Sequence, residues 1–101
     1  MGRFDGKVAI VTGAARGTGE ATARRFAAEG AAVLLGDVRD ELGEAVAQDL
    51  GGAAQYLHLD VSQESDWERA MTEAKSRFGR LDVLINNAAI LHVGPIARTS
   101  L

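Results

Sequence analysis

The chain has 101 residues, 47% hydrophobic and 25% charged, with one proline and a formal net charge of −3. That length suits one small domain, and a chain without cysteine has neither disulfides nor thiolate metal sites. Acids and bases are interspersed, so no basic block points to nucleic acid, and the apolar runs fall far short of a membrane span. The opening MGRFDG lacks the apolar core of a signal peptide and has Gly6 where a myristoylation signal wants Ser or Thr. A cytoplasmic location is expected.

Val8–Val11 (VAIV) is a continuously apolar run bounded by Gly13 and reads as a strand buried on both faces. A helix follows Gly17, with Ala23, Phe26 and Ala27 on one face, and stops at Gly30 in a left-handed C-terminal cap. Ala31–Asp37 is the second strand. Leu42, Ala45, Val46 and Leu50 then mark a second helix ending before Gly51-Gly52. Gln55–Val61 reads as a third, more polar strand. Trp67, Ala70, Met71, Ala74 and Phe78 stripe a third helix, with Ser62 as its expected cap, Glu64 and Asp66 at its positive end, and Gly79 closing it. Leu81–Asn86 is the fourth strand. The order β-α-β-α-β-α-β predicts an α/β fold, a doubly wound parallel sheet with strand order 3-2-1-4.

Thr12–Gly19 (TGAARGTG) joins the first strand to the first helix, where such sheets bind phosphates. A helix N-terminus offers unpaired N–H groups and about half a positive charge, which side chains would screen from a diphosphate. Gly13 permits the turn off the strand, while Gly17 and Gly19 allow close approach. The spacing is Gly-x-x-x-Gly-x-Gly. A Walker loop is excluded because Thr18 follows Gly17, and Gly-x-Gly-x-x-Gly because Thr22 stands where its last glycine belongs. Asp37 closes the second strand about 20 residues on, the place of a ribose-binding acid. Its charge repels a 2′-phosphate by roughly 1–4 kcal/mol at about 4 Å, which predicts NAD over NADP, with Arg16 and Arg39 as partly offsetting cations.

TGAARGTG, HLDV and NNAA, in this order and spacing, resemble the motifs of the short-chain dehydrogenases/reductases, and the resemblance covers essentially the whole chain. It implies a Rossmann fold and an NAD-dependent oxidoreductase that moves hydride between the cofactor and a small-molecule alcohol or ketone. It places Gly13, Arg16, Gly17, Thr18 and Gly19 around the diphosphate and neighbouring ribose, Asp60 and Val61 at the adenine, and Asn87 and Ala88 along the adenosine ribose. Asn86 braces the strands. Two positions depart from the family pattern: Thr18 replaces Ile or Met, and Ala89 replaces glycine. His58, His92 and Trp67 read as structural, and Glu20 as favouring the helix dipole.

The family's catalytic tyrosine, with a lysine four residues later, and its substrate-binding serine have no counterpart here. The single tyrosine is Tyr56, and position 60 is Asp. The expectation is an N-terminal cofactor-binding portion, inactive alone, of a longer enzyme, with Thr99 or Ser100 capping a helix to come. The stretch from Gly36 to Trp67 is most similar to bacterial hydroxysteroid dehydrogenases, and family members are commonly tetramers. Two other readings are a non-catalytic nucleotide-binding or regulatory module, and an interaction protein that lost the cofactor. The intact glycines, Asp37 and Asn87 argue against the latter. With one helix expected on the second sheet face, an uncovered apolar patch over the first two strands and an open fourth-strand edge are also expected.

Overall fold

The computed structural model describes residues 3–87. Strands β1 (Val8–Thr12), β2 (Ala32–Asp37), β3 (Ala54–His58) and β4 (Val83–Asn86) alternate with helices α1 (Gly17–Ala28), α2 (Asp40–Leu50) and α3 (Glu64–Phe78). The strands pair in parallel in the order β3-β2-β1-β4. This is the expected doubly wound Rossmann arrangement. β1 lies between β2 and β4, with Val11 level with Leu35 on one side and Ile85 on the other.

Successive side chains of a strand point to opposite faces, so the sheet feeds two cores. Val11, Val33 and Leu35 pack with Ala23 of α1 and Val46 of α2. Val8, Ile10 and Leu34 pack with Ala70 and Ala74 of α3. Right-handed crossovers explain the division: α1 and α2 cover one face, and α3, running back past β1, covers the other.

The second face differs from expectation. Ile10 and Leu34 are fully buried and Val8 nearly so, and among the described residues no uncovered patch lies over β1 and β2. Ala70 and Ala74 present small side chains that let α3 approach closely, while Trp67, Met71, Phe78 and Leu59 fill its flanks. β4, bonded only to β1 among the described strands, is half-buried.

Helix ends show the local chemistry. Gly79 is left-handed (φ 88°) after α3, and Gly30 has φ 98° just beyond the Glu29 cap of α1. Ser62 does not cap α3. Gln63 holds the cap position without a side-chain bond, because the Ser62 N–H and hydroxyl both donate to Asp60 Oδ1. The same turn ends β3 at His58, earlier than the periodicity predicts. β4 starts later than predicted because Asp82 is engaged at the start of β1: its N–H donates to the Val8 carbonyl and its Oδ2 accepts the Val8 N–H. Leu42 is exposed rather than buried, since α2 packs through Gly43, Val46, Ala47 and Leu50. A Cβ on Gly43 would stand 2.1 Å from Tyr56 Cε1, so the tyrosine ring occupies the space that a side chain would fill.

Candidate functional site

The carboxyl ends of the strands open on a cleft of about 500 Å³. Gly13, Arg16, Gly17, Thr18 and Gly19 form its first wall, from the β1–α1 turn. Asp37, Val38 and Arg39 follow from the end of β2, then Leu59, Asp60 and Val61 from beyond β3, and Asn87 from beyond β4. Every described residue expected around a cofactor therefore lines one cleft. Ala88, like Ala89, His92, Thr99 and Ser100, lies outside the described residues.

The three glycines have different physical jobs. Gly13 (φ 64°) and Gly17 (φ 63°) adopt left-handed backbone that L side chains resist. A Cβ on Gly17 would meet nothing within 4 Å, so its bareness keeps the cleft open. A Cβ on Gly19 would lie 1.8 Å from the Gly13 carbonyl oxygen, so only glycine lets α1 start this close to the end of β1. Arg16 holds the cap position of α1 in extended conformation (φ −164°) with no side-chain cap bond. An uncapped helix start beside an open cleft suits an anion. The Ala14 N–H donates to the Gly36 carbonyl (3.2 Å), tying this turn to β2. Glu20 sits in the first turn, paired with Arg24 at 2.9 Å.

Asp37 is only 6% exposed. Its Oδ2 accepts the Ala15 N–H (3.1 Å) and its Oδ1 the Arg39 N–H (2.9 Å), with the Arg39 guanidinium at 3.9 Å. An ionised carboxylate offers about four acceptor sites, so these two backbone bonds fix it while leaving capacity for a diol. The sequence assigned the acid but not its anchor, the Ala15 N–H within the glycine loop.

Asp60 lines the cleft and also builds the turn before α3. The hydrogen bonds from the Ser62 hydroxyl (2.7 Å) and N–H (2.9 Å) hold its carboxyl below the usual range. Asn86 braces the strands, accepting the Thr12 hydroxyl proton on Oδ1 at 2.9 Å, and Thr12 Oγ1 accepts the Asn87 N–H at 3.1 Å. Thr12 is fully buried and was not singled out as a positioning residue. A polar residue ending an otherwise apolar strand was the available signal. Leu59 and Val38 were also missed. Leu59 is buried against Gly36, where a Cβ would come within 3.0 Å of its side chain, and Val38 is half exposed on the cleft rim. Trp67 packs at the edge of the α3 core and donates its Nε1 proton to the Val61 carbonyl (2.9 Å), steadying that wall.

Among the described residues no group of acidic, His or Cys side chains is placed to hold a metal, and no helix is long and apolar enough to cross a membrane. A parallel 3-2-1-4 sheet with a glycine turn after its first strand defines the class of doubly wound Rossmann proteins. The family follows from comparison: residues 7–101 match the short chain dehydrogenase family model, and the chain belongs to that family of oxidoreductases. It is 53% identical over 95 residues to a 3-alpha-(or 20-beta)-hydroxysteroid dehydrogenase of Mycobacterium tuberculosis, covering 94% of this chain and 36% of the relative. It is 47% identical over 100 residues to the meso-2,3-butanediol dehydrogenase of Serratia marcescens, covering 98% and 40% respectively. Among solved structures, a 3-ketoacyl-(acyl-carrier-protein) reductase from Brucella melitensis complexed with NADH superposes with TM-score 0.78 at 43% identity, over 80% of this chain and 33% of that one. A hydroxysteroid dehydrogenase from Escherichia coli superposes with TM-score 0.80 at 38% identity, over 86% and 38%. The chain thus spans little more than a third of the length of the relatives it matches.

Proposed function

We propose that the chain is the NAD(H)-binding part of a short-chain dehydrogenase/reductase that acts on an alcohol or ketone, a hydroxysteroid being the favoured substrate class. The observation that carries this reading is Asp37: a nearly buried carboxylate fixed at the cleft wall by two backbone N–H groups, opposite the glycine turn. The residues fit the cofactor's adenosine and diphosphate half. Gly17 leaves open space beside the uncapped start of α1 for the diphosphate, and Asp37 offers acceptors to the adenosine ribose. Val38 and Val61 supply apolar surface for the adenine beside Asp60, and Asn87 flanks the far side. Ala88 joins this set by the family resemblance alone. The nicotinamide, when bound, supplies or accepts the hydride. The steroid preference rests on the hydroxysteroid dehydrogenases among its relatives.

The chain carries no Tyr-x-x-x-Lys pair, since Tyr56 precedes Asp60 at that spacing. The 101 residues alone are therefore expected to be inactive, and residues 1–101 are assigned as the N-terminal part of a single catalytic domain. The intact enzyme is assigned as a homotetramer working in the cytoplasm.

NADH and NADPH binding to the intact protein, titrated by nicotinamide fluorescence, tests the cofactor assignment. Like-charge repulsion at Asp37 of roughly 1–4 kcal/mol, with every 1.4 kcal/mol a factor of ten, predicts NADH binding about fivefold to several hundredfold tighter. Asp37→Ser should narrow or reverse that gap. Tighter NADPH binding by the unmutated protein would overturn the assignment.

A further inference from the structure

Behind the loop that carries Asp37 stands a hydrogen-bonded cluster without a role so far: Tyr56 and His58 of β3 and Asp40 at the start of α2. The Tyr56 hydroxyl lies 2.5 Å from the Asp37 carbonyl oxygen and 2.5 Å from Asp40 Oδ1. A phenol has one proton to donate. One of these acceptors receives it, and the other faces a lone pair. The Asp37 carbonyl also accepts the Leu59 N–H at 2.9 Å, so with the tyrosine proton both of its lone pairs are used. His58 Nδ1 stands 2.8 Å from the same Asp40 oxygen that competes for that proton.

We propose that Tyr56 is a positioning residue for Asp37, and that the His58–Asp40 pair steers the tyrosine proton so that ribose recognition follows the charge on His58. The inference rests on the cleft being an NAD(H) site. With His58 cationic, the Asp40 charge is compensated, and the Tyr56 proton goes to the Asp37 carbonyl, which clamps the loop. With His58 neutral, Asp40 draws the proton, and the Asp37 carbonyl is left facing the phenol oxygen at short range.

The groups that face His58 are Asp40 from α2, Asp66 and Arg69 from α3, Tyr56 on its own strand and Asp60 just beyond that strand. The hydrogen bond to Asp40, helped by the charges of Asp40 and Asp66, raises His58 above its ordinary value of 6.5 against the opposing effects of desolvation first and Arg69 next. Arg69 also donates to the His58 carbonyl at 3.0 Å. His58 therefore stays charged at pH 6 and loses its proton above its ordinary value. Affinity for NADH should fall as pH rises through that range.

The test uses the intact protein, with NADH and NADPH dissociation constants measured across a pH series from 6 to 9. Tyr56→Phe should weaken NADH binding about three- to tenfold at pH 6, the range for loss of one hydrogen bond. It should weaken NADPH less, so that the selectivity ratio falls, a change a merely structural role would not produce. The exposed His58→Gln replacement keeps the folded core intact and should remove the pH dependence of NADH affinity seen in the unmutated protein. Selectivity unchanged in Tyr56→Phe, or a pH dependence that persists in His58→Gln, overturns the positioning role. Asp37→Ser separates the two ideas: if it leaves the NADH/NADPH ratio unmoved, the reading of the cleft has failed instead.

Discussion

Replacing Gly19 by alanine sets a single methyl group against fixed backbone. The added Cβ would lie 1.8 Å from the Gly13 carbonyl oxygen and 2.5 Å from its carbonyl carbon. Because Cβ contacts essentially never fall below 3.0 Å, the strand end and the helix start must separate by about 1.2 Å. Neither partner is free to yield. Thr12, next to Gly13, is bonded to Asn86 and Asn87, and Ala14 is bonded to Gly36. Overpacking of this kind costs about 1–3 kcal/mol, and with backbone on both sides the upper end, about 3 kcal/mol, is expected. Gly17→Ala is the matched control. It meets no atom within 4 Å and costs only its φ of 63°, roughly 1–2 kcal/mol. Equilibrium urea unfolding followed by Trp67, the single tryptophan of these 101 residues, reads both. Gly19→Ala should lose more stability, whereas Gly17→Ala should stay folded and lose NADH affinity because its methyl group enters the cleft. Equal destabilisation by the two, or the reverse order, refutes the assignment of separate jobs to the two glycines.

Thr12→Val keeps the side-chain shape but removes the bonds to Asn86 and Asn87. With the partly buried Asn87 N–H deprived of its Thr12 acceptor, a loss of about 1–3 kcal/mol in urea unfolding is expected. An unchanged midpoint would show that the brace carries no stability. Asp82 is held below its ordinary value of 3.8 by the Arg80 side chain first and the Val8 N–H next. A lowered carboxyl contributes stability above its unfolded value and loses it as pH falls through the folded one. The unmutated protein should therefore lose stability below pH 3.8 more steeply than Asp82→Asn, measured as urea midpoints between pH 5 and pH 2.5. Parallel pH curves would show that the clasp does not depend on charge.

The fold was legible because each element announces itself locally. VAIV and AVLLG are apolar throughout, as strands buried on both faces must be, and the Trp67–Phe78 stripe has helical spacing. Gly13, Gly17, Gly19 and Asp37 were legible because the ends of β1 and β2 that carry them converge in any sheet of this topology, whereas Asp60, Val61 and Asn87 came from the family resemblance; all of them line one cleft. What escaped were one competing bond within a turn and contacts between distant segments. Ser62 looked like a cap because capping preferences are local, but Asp60 two residues earlier competes for both of its donors. Leu42 matched the helical period, yet the facing of α2 is set by a tyrosine ring from β3 lying where Gly43 has no side chain. The covering of Ile10 and Leu34 depends on how closely Ala70 and Ala74 let α3 descend, which periodicity does not encode.

The place of β1 between β2 and β4 also sets the order in which the molecule can be assembled. Val8 pairs with Ala32 across a short stretch of chain, but its clasp to Asp82 spans 74 residues. Loop closure grows as the logarithm of length, so the second contact costs roughly 1 kcal/mol more in chain entropy than the first. The β1–α1–β2 unit can close first, with one flank of its central strand unpaired and the α3 side of Ile10 and Leu34 bare. At about 5–20 residues per second of synthesis, the interval between the end of β2 and the arrival of β4 is roughly two to ten seconds. Through that interval the nascent chain presents its most apolar strand to its surroundings, so this is when the protein has most need of a chaperone.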